Sequence, residues 1–485
     1  MTTTTTTNNN TTDLKKLLQD CEEVLNHNWN GSFTIPSDTL YPHQWSWDAA
    51  FIAIGNSYAN TERAIKELEF LFDAQWKNGM VPHIVFNEKE KTYFPAADFY
   101  EITRSPNAPT NIGTSGMTQP PVHAISCYYI YKNAKDQNSK TAAMDFLEKI
   151  FPKLMKFHRY LLTDRDPEQS GLVTILHPWE SGEDDSPIWD EPLSRISFEK
   201  TDLPKFERLD IIAVEGAADT IPSDEEYNKF IYLIELMKKY NYDEKIMNEK
   251  MPFKIKDLLF SSILYVANHY LLKIIEILAE NHNQDPDKKN KSDNYENSKK
   301  EILQWLGRTE RNYYRYFLPP HNLKVGESEL SLFLDYDLVA NQWIKSKTVS
   351  SLIPIFTGLL LPEEADTMVK WLKHSYHCGP GKYCHEPVLP STGPLAEYFS
   401  PLTYWRGPVW INMNWMFWLG LLRYGYDKEA EVIRQAIFEL VQKNGIREYY
   451  DPYTGKGLGG KKFSWTAALV IDMIHNSQPI NQEIS

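Results

Sequence analysis

The chain of 485 residues carries 65 acidic and 51 basic side chains, a formal net charge of −14 at neutral pH, and 42% hydrophobic residues. This acidic balance, without any stripe of Lys and Arg, excludes a nucleic-acid-binding surface, because phosphate binding requires clustered basic side chains. Four cysteines in so long a chain do not make a disulfide framework, and we therefore expect a protein of a reducing compartment, the cytosol.

The N-terminal residues 1–12, MTTTTTTNNNTT, are polar and uncharged. They have neither the basic start nor the apolar run of a signal peptide, so we predict a disordered leader. The apolar run WMFWLGLL at residues 415–422 is far shorter than the roughly 20 residues that a bilayer requires. We therefore expect no association with a membrane.

Helical periodicity dominates the rest of the chain and predicts a mostly α protein. The predicted helices cover residues 14–25, 61–72, 146–157, 225–239, 253–279, 329–343, 362–374, 409–424, 428–443 and 464–475. Long loops rich in Trp, Tyr, Gly, Pro and Asp separate them, at residues 31–46, 77–119, 171–204, 378–408 and 445–463. Ordered loops of this length are usually functional. The pattern suits a toroid of helix pairs, with the long loops gathered at one end.

Two aromatic segments are candidates for sugar binding: YPHQWSWDAAF at residues 41–51 and YWRGPVWINMNW at residues 404–415. Flat apolar rings suit the C–H faces of a sugar, while Gln44, Asp48 and Arg406 offer partners for its hydroxyls. The alternative is that the rings pack in the core and that Arg406 pairs with Asp48.

An acidic segment, HPWESGEDDSPIWDEP at residues 177–192, sets six acidic side chains beside two tryptophans. Crowding and poor solvation both raise the pKa of a carboxylic acid, which keeps it protonated and able to act as a general acid. The alternative is a calcium-binding loop or a structural turn.

Two further segments carry no proposed chemistry. Residues 281–300 are charged, Asn-rich and almost free of apolar side chains, so we predict an exposed low-complexity insertion within a helix pair. Residues 374–385, HSYHCGPGKYCH, contain three His and two Cys, but their spacing matches no tight zinc pair, and we expect ordinary loop residues and no metal site.

A second candidate carboxylate is Glu448, in REYYDPYTGKGLGG at residues 447–460. It lies 448 − 184 = 264 residues after Asp184 of the acidic segment, so any meeting of the two is tertiary. Two carboxyl groups facing each other across a cleft are what acid and base hydrolysis of a glycosidic bond requires. Taken alone, Glu448 is an ordinary loop acid.

Four motifs in this order, QWSWDAAF, HPWESGEDDSPIWD, TYWRGPVW and EYYDPYTG, resemble glycoside hydrolase family 63. The likeness is greatest to its short, single-domain mannosylglycerate and glucosylglycerate hydrolases. The resemblance implies an all-α fold, an (α/α)6 barrel, with one catalytic domain over residues 13–480. It also implies an inverting, exo-acting hydrolysis of 2-O-α-mannosylglycerate, 2-O-α-glucosylglycerate or both, with a small-molecule glycoside as partner and no metal or organic cofactor.

The resemblance further implies roles for individual residues, with Asp184 as general acid and Glu448 as general base. The positions that match the sugar and glycerate pocket are Tyr41, Trp45, Trp47, Asp48, Tyr93, Gln119, Trp179, Tyr404, Trp405 and Trp410. Two departures from the family, Glu183 for an apolar residue and Asp185 for Asn, place the acid in a more negative pocket and predict a higher pKa. Lys229 stands where related sequences carry an Arg for the glycerate carboxylate, but it lacks the bidentate fork.

Two other functions stay open at this point. One is another α-glucosidase specificity on the same barrel, such as trehalose or a glucosylated oligosaccharide, and the other is a noncatalytic sugar-binding protein. The motifs do not rank mannose above glucose. An acidic surface and a large core suit both a monomer and a homodimer.

Overall fold

The computed structural model describes residues 5–90, 93–208, 222–283, 292–320, 332–372 and 388–476. Within these ranges the chain is largely helical, as predicted. The sixteen α-helices of the described residues are α1 Thr5–Asn28, α2 Ser46–Ala59, α3 Thr61–Asp73, α4 His123–Asn133, α5 Gln137–Thr163, α6 Pro178–Ser181, α7 Asp190–Ser194, α8 Asp224–Lys239, α9 Glu244–Lys250, α10 Leu258–Asn283, α11 Ser292–Phe317, α12 Pro354–Thr357, α13 Pro362–Leu372, α14 Ile411–Arg423, α15 Asp427–Asn444 and α16 Ser464–His475.

Six of these helices contact one another in a closed sequence. Helix α2 packs on α4, α4 on α10, α10 on α12, α12 on α14, α14 on α16, and α16 packs back on α2. Five of the six also pack on a second helix: α2 on α3, α4 on α5, α10 on α11, α14 on α15, and α16 on α1. The inner helices α2, α14 and α16 are buried on nearly all sides, which explains why their sequences are apolar around the whole circumference.

Nine short strands accompany the helices in the described residues, so the expectation of an all-α fold misses three small antiparallel sheets. The strands are β1 Gln44–Trp45, β2 Ile84–Val85, β3 Thr174–Ile175, β4 Ile255–Lys256, β5 Tyr336–Asp337, β6 Gln342–Trp343, β7 Val409–Trp410, β8 Arg447–Tyr450 and β9 Gly457–Lys461. They pair as β1-β2, β3-β4-β5-β6 and β7-β8-β9. Strands of two to five residues are too short to leave a period in the sequence.

Four of the nine described strands lie just before inner helices. Strand β1 leads directly into α2, β4 into α10, β7 into α14 and β9 into α16. Gln44 pairs with Val85, which joins the loop before α2 to the loop before α4. Trp410 pairs with Tyr449, which joins the loop before α14 to the loop before α16. The long aromatic loops are thereby fixed where the inner helices begin.

One helix of the described residues, Leu258–His282, is long and apolar enough by composition to cross a membrane. In the structure 83% of its most apolar stretch is buried inside the protein, against α4, α5 and α11 among others. Its apolar character is explained by this packing, since a core helix is selected for the same composition.

Three predicted segments differ from the structure or lie outside it. The helix predicted at residues 329–343 is wrong where described, because residues 336–343 form the β5-β6 hairpin. Residues 1–4 of the predicted leader lie outside the described residues, and α1 begins at Thr5. Of the predicted insertion, residues 284–291 are not described, whereas α11 starts at Ser292 and buries Tyr295 against Phe151.

Candidate active site

A cavity of about 330 Å³ opens among the loops that precede the inner helices. This volume lies at the lower end of the range for small-molecule pockets, about 300–1,000 Å³. Ten of the twelve predicted site residues line it, namely Tyr41, Trp45, Trp47, Asp48, Tyr93, Gln119, Trp179, Asp184, Tyr404 and Glu448. Both proposed catalysts therefore face the same cavity, although they are far apart in the chain.

Asp184 follows the one-turn helix α6, and two features fix the turn that carries it. Gly182 has a φ of +78°, and a Cβ there would lie 2.5 Å from the ring of Trp47, so only glycine fits. The carbonyl of Glu183 accepts the indole N–H of Trp189 at 2.7 Å. Trp47 and Trp189 thus hold the backbone immediately before Asp184.

Burial, together with the neighbouring charges of Asp185 and Glu448, raises the pKa of Asp184 to about 8. A carboxylic acid with such a pKa is protonated at neutral pH and can donate a proton. Glu183, which was expected to raise the pKa of Asp184 as well, is not among the groups that do so. Its carboxylate binds the Ser350 hydroxyl, and burial raises its own pKa to about 8.

Glu448 lies in β8 and is held by three hydrogen bonds. The hydroxyls of Tyr41 and Tyr404 donate to its Oε1 at 2.8 and 3.2 Å, and the backbone N–H of Gly460 donates to its Oε2 at 2.7 Å. The strand β9 can approach this closely because Gly459 has no side chain: a Cβ there would lie 2.3 Å from Oε2. These contacts give the carboxylate one orientation within the cavity.

The pKa of Glu448 results from opposing effects. Burial raises it, whereas the hydrogen bonds from Gly460, Tyr41 and Tyr404 lower it because they stabilise the ionised form, and the resulting pKa is about 7. The negative charges of Asp185 and Glu448 thus favour the protonated form of Asp184, whereas the three hydrogen-bond donors favour the ionised form of Glu448.

A third carboxyl group, that of Asp48, lines the cavity from the first turn of α2. Burial raises its pKa well above the usual range, and the charges of Glu448 and Asp184 raise it further. The pKa of Asp48 therefore depends on whether Asp184 and Glu448 are ionised.

Aromatic rings make up much of the cavity wall. Tyr41 and Tyr93 each meet the ring of Trp45 edge-on, at centroid distances of 5.2 and 5.5 Å, and Trp47 meets Trp465 in the same way at 5.4 Å. Such contacts fix the rings as rigid apolar surfaces. They can receive the apolar face of a sugar without a large loss of side-chain entropy.

Sequence analysis missed several lining residues: His83, Tyr100, Tyr227, Phe463 and Trp465. The motif KKFSW, which places Phe463 and Trp465 at the start of α16, has the same aromatic spacing as QWSW at the start of α2 and could have identified them. His83 binds Ser115 through Nδ1 at 2.9 Å, and burial lowers its pKa to about 3, so it is neutral.

Trp405 and Trp410 do not line the cavity, contrary to what the resemblance implied. Both are 1% exposed and stack on each other with parallel rings, 4.0 Å between centroids. Trp410 also stacks on Tyr449 at 4.7 Å, because their strands β7 and β8 are paired. The two indoles support Tyr404 from behind, since Trp410 donates its indole N–H to the Tyr404 carbonyl at 3.0 Å.

Three polar candidates also have partners other than those expected. Gln44 is buried and donates to both the carbonyl and the carboxylate of Glu67. Arg406 pairs with Asp185 at 3.0 Å rather than with Asp48. Lys229 pairs with Glu225 at 2.9 Å and is not among the described residues that line the cavity.

The cysteines and histidines give no metal site in the described part of the chain. There, no group of three or more His, Cys, Asp or Glu side chains has an arrangement that could hold a metal ion. Residues 373–387, which include the whole His- and Cys-containing segment 374–385, lie outside the described residues. Cys21 and Cys127 are both buried thiols.

Comparison with known proteins gives one consistent group of relatives. The sequence profile of the family described as "Mannosylglycerate hydrolase MGH1-like glycoside hydrolase domain" matches residues 41–314 and 324–466. A mannosylglycerate hydrolase of Rubrobacter radiotolerans is 37% identical over 95% of this chain and 97% of its own length. A glucosylglycerate hydrolase of Mycolicibacterium hassiacum is 35% identical, over 93% and 96%.

A solved structure extends this similarity to the fold. The family 63 mannosylglycerate hydrolase of Thermus thermophilus, crystallised with Tris and D-glycerate, superimposes with a TM-score of 0.81 at 37% identity. The match covers 94% of this chain and 99% of that enzyme.

Proposed function

The chain belongs to the MGH1-like mannosylglycerate hydrolase family within glycoside hydrolase family 63, and we propose that it cleaves 2-O-α-mannosylglycerate, 2-O-α-glucosylglycerate or both. The chain is thus a glycosidase. Relatives named for each of the two substrates, at 37% and 35% identity, support this specificity without ranking the sugars. The D-glycerate bound by the Thermus thermophilus enzyme supports glycerate as the leaving group.

We also propose that the closed sequence of helix contacts is an (α/α)6 barrel. The inner helices would be α2, α4, α10, α12, α14 and α16, and all of them except α12 pack on an outer helix of the described residues. Residues 13–480 would then form one catalytic domain, with the low-complexity segment at about residues 281–300 as an insertion within the α10–α11 helix pair. The cavity would lie at the end of that barrel where the inner helices begin.

The observation that carries the proposed mechanism is that Asp184 and Glu448 line one cavity in different surroundings: negative neighbours favour the protonated form of Asp184, whereas three hydrogen-bond donors favour the ionised form of Glu448. Asp184, with a pKa of about 8, is the proton donor, and Glu448, with a pKa of about 7, is the proton acceptor. These surroundings match their assigned roles. Inverting glycosidases require such an acid and such a base, on opposite sides of the scissile bond.

The reaction proceeds in a single displacement. Asp184 donates its proton to the glycosidic oxygen as the bond from that oxygen to C1 breaks, which releases glycerate. Glu448 removes a proton from a water molecule whose oxygen attacks C1 from the opposite face, which gives the β-hexose. Solvent then returns the proton to Asp184 and removes it from Glu448. This chemistry requires neither a metal ion nor an organic cofactor.

The charge of the cavity favours a second candidate, an α-glycoside with a neutral leaving group. The described lining residues include five acids, Asp38, Asp48, Glu90, Asp184 and Glu448, and no Lys or Arg, so no basic side chain among them offsets the charge of the acids that are ionised. A negative wall disfavours the carboxylate of glycerate relative to an uncharged alcohol or sugar. Glycosylated glycerol and trehalose are therefore the informative competing substrates.

The purified protein, its Asp184→Asn variant and its Glu448→Gln variant should be incubated with both glycosylglycerates, glucosylglycerol and trehalose. We expect hydrolysis of a glycosylglycerate by the unaltered protein and a loss of at least about 100-fold in each variant, because each loses one side of the acid and base pair. Faster hydrolysis of a neutral glycoside would favour the second candidate. An active Glu448→Gln variant would reject the mechanism.

Two properties of the whole protein also stay predictions. We propose a cytosolic location, in keeping with the buried thiols of Cys21 and Cys127, and cell fractionation would test it. A homodimer is compatible with the composition, and sedimentation of the purified protein would distinguish it from a monomer.

A further inference from the structure

Outside the cavity wall, one guanidinium group connects three carboxylates from two parts of the chain, the acidic segment and α8. Arg406 binds Asp185 through Nε at 3.0 Å, Asp190 through Nη1 and Nη2 at 3.0 and 2.5 Å, and Glu226 through Nη2 at 3.0 Å. Its side chain is 16% exposed and does not belong to the described cavity wall. A planar guanidinium can hold this arrangement because its donors have fixed directions.

The same loop contacts the other side of the active site. Tyr404, two residues before Arg406, donates its hydroxyl to Glu448. Backbone hydrogen bonds make the segment between them rigid: the N–H of Arg406 donates to the carbonyl of Thr403 at 2.7 Å, and its carbonyl accepts the N–H of Ser400 at 2.9 Å. A three-residue segment therefore joins the proposed base to the residue that follows the proposed acid.

We propose that Arg406 and Asp185 are positioning residues of the hydrolysis. Their ion pair fixes the turn that carries Asp184 relative to Tyr404 and Glu448, and so sets the separation between acid and base that inversion requires. This inference depends on the proposed roles of Asp184 and Glu448. Neither Arg406 nor Asp185 needs to touch the substrate for it to hold.

The burial of Asp185 supports a role beyond surface charge pairing. Its Oδ1 binds Arg406, while its Oδ2 is buried without a hydrogen-bond partner among the described residues. Burying a carboxylate that is only half satisfied has a large cost, and Arg406 offsets part of it. A purely structural ion pair would be more stable with both oxygens in contact with donors.

Asp185 also acts electrostatically on Asp184. The groups that face Asp184 are Asp185 in the same turn, Glu448 in β8, Asp48 in α2, Tyr100 and Tyr404. The groups that face Asp185 are Arg406, Glu226, Asp190 and Tyr449. An Asp185→Asn substitution removes a negative charge next to Asp184 and nearly preserves shape, so it should lower the pKa of the acid.

The experiment compares two substrates that differ in their need for an acid. One is the α-glycoside that the protein hydrolyses, and the other is the α-glycosyl fluoride of the same sugar, whose fluoride leaves without a proton. The variants that break the contact are Asp185→Ala and Arg406→Met, Asp185→Asn removes only the charge, and Asp184→Asn is the reference. The matched control is Arg434→Met, because Arg434 is also 16% exposed and ion-paired, to Glu431, but lies on α15.

We expect Asp185→Ala and Arg406→Met to lower kcat for the glycoside by about 10- to 100-fold, as for a small misplacement of a catalytic group. Asp185→Asn keeps an oxygen that can accept from Arg406, so its kcat should stay within about 3-fold of the unaltered protein. KM for the glycoside and kcat for the fluoride should change by less than about 3-fold, since binding and the base are untouched. In Asp185→Asn, the alkaline limb of kcat/KM should move to lower pH by at least about half a unit. Arg434→Met should resemble the unaltered protein.

The outcomes separate this inference from the proposed function. An Asp184→Asn variant with normal glycoside hydrolysis would overturn the proposed function itself. If that variant loses only the glycoside, but Asp185→Ala and Arg406→Met behave like Arg434→Met or lose both substrates equally, the positioning role is wrong. Should Arg406→Met fail to fold, Asp185→Ala decides alone.

Discussion

The hydroxyl of Tyr41 provides a direct test of how the base is kept ionised. It donates to Oε1 of Glu448 at 2.8 Å, and Tyr41→Phe removes that hydrogen bond while keeping the ring. A hydrogen bond to a charged group contributes about 1.5–3 kcal/mol, and a pKa unit corresponds to about 1.4 kcal/mol. The substitution should therefore raise the pKa of Glu448 by about 1–2 units.

This shift has a defined kinetic effect. Glu448, with a pKa of about 7, is half ionised at pH 7. After a rise of about 1–2 units only about one molecule in ten to one in a hundred has the base ionised, so kcat/KM at that pH should fall by about 5- to 50-fold. The loss should be recovered in part at higher pH, because the base is present but protonated.

The assay is the pH profile of kcat/KM between about pH 5 and about pH 10, whose acidic limb reports the base of the free enzyme. Tyr404→Phe is the comparison, since its hydroxyl lies 3.2 Å from the same oxygen and its removal should shift the limb less. An acidic limb that stays in place in Tyr41→Phe, or that moves to lower pH, would refute this account of Glu448.

Three other results are expected. The activity of the unaltered protein should rise with pH through about 7, as Glu448 loses its proton, and fall above about 8, as Asp184 loses its own; a profile with an optimum below pH 6 would contradict both assignments. Trp405→Ala should lower the free energy of unfolding by about 3–5 kcal/mol in urea denaturation, because it removes a buried ring that stacks on Trp410; a raised KM at unchanged stability would instead favour sugar contact. Lys229→Ala should leave KM within about 2-fold, since its amine pairs with Glu225, and a large increase in KM for glycosylglycerate would show that the lysine holds the substrate.

The long helices could be predicted from the sequence because their apolar residues recur over many turns. The helix predicted at residues 464–475 matches α16, and the one predicted at residues 428–443 differs from α15 by one residue at each end. The prediction at residues 329–343 failed for a physical reason. Tyr336 and Asp337 pair with Lys256 and Ile255, and such a partner distant in the chain decides between helix and strand in a short apolar segment.

The candidate site was predicted in part. The motifs indicated that Asp184 and Glu448 belong to one site, and the cavity contains both. They could not distinguish Tyr404, which faces the cavity, from Trp405 and Trp410, which stack on each other, because all three are aromatic residues of one loop. The pairing of β7 with β8 makes that distinction.

The partners of charged side chains were harder to predict than the residues that line the cavity. Arg406 was expected to pair with Asp48 or with a sugar, yet it binds Asp185, Asp190 and Glu226. A long flexible side chain can reach several carboxylates. Which of them Arg406 binds depends on where its loop meets the acidic segment and α8. Sequence spacing contains no information on that meeting point.

The central claim is that Asp184 and Glu448 act as acid and base in a single displacement at the anomeric carbon. The most direct measurement is a proton NMR time course of glycosylglycerate hydrolysis, which identifies the anomer of the hexose released first, before mutarotation. Inversion of an α-glycoside predicts the β anomer. First release of the α anomer would require a covalent intermediate or a different pair of residues, and would contradict the claim.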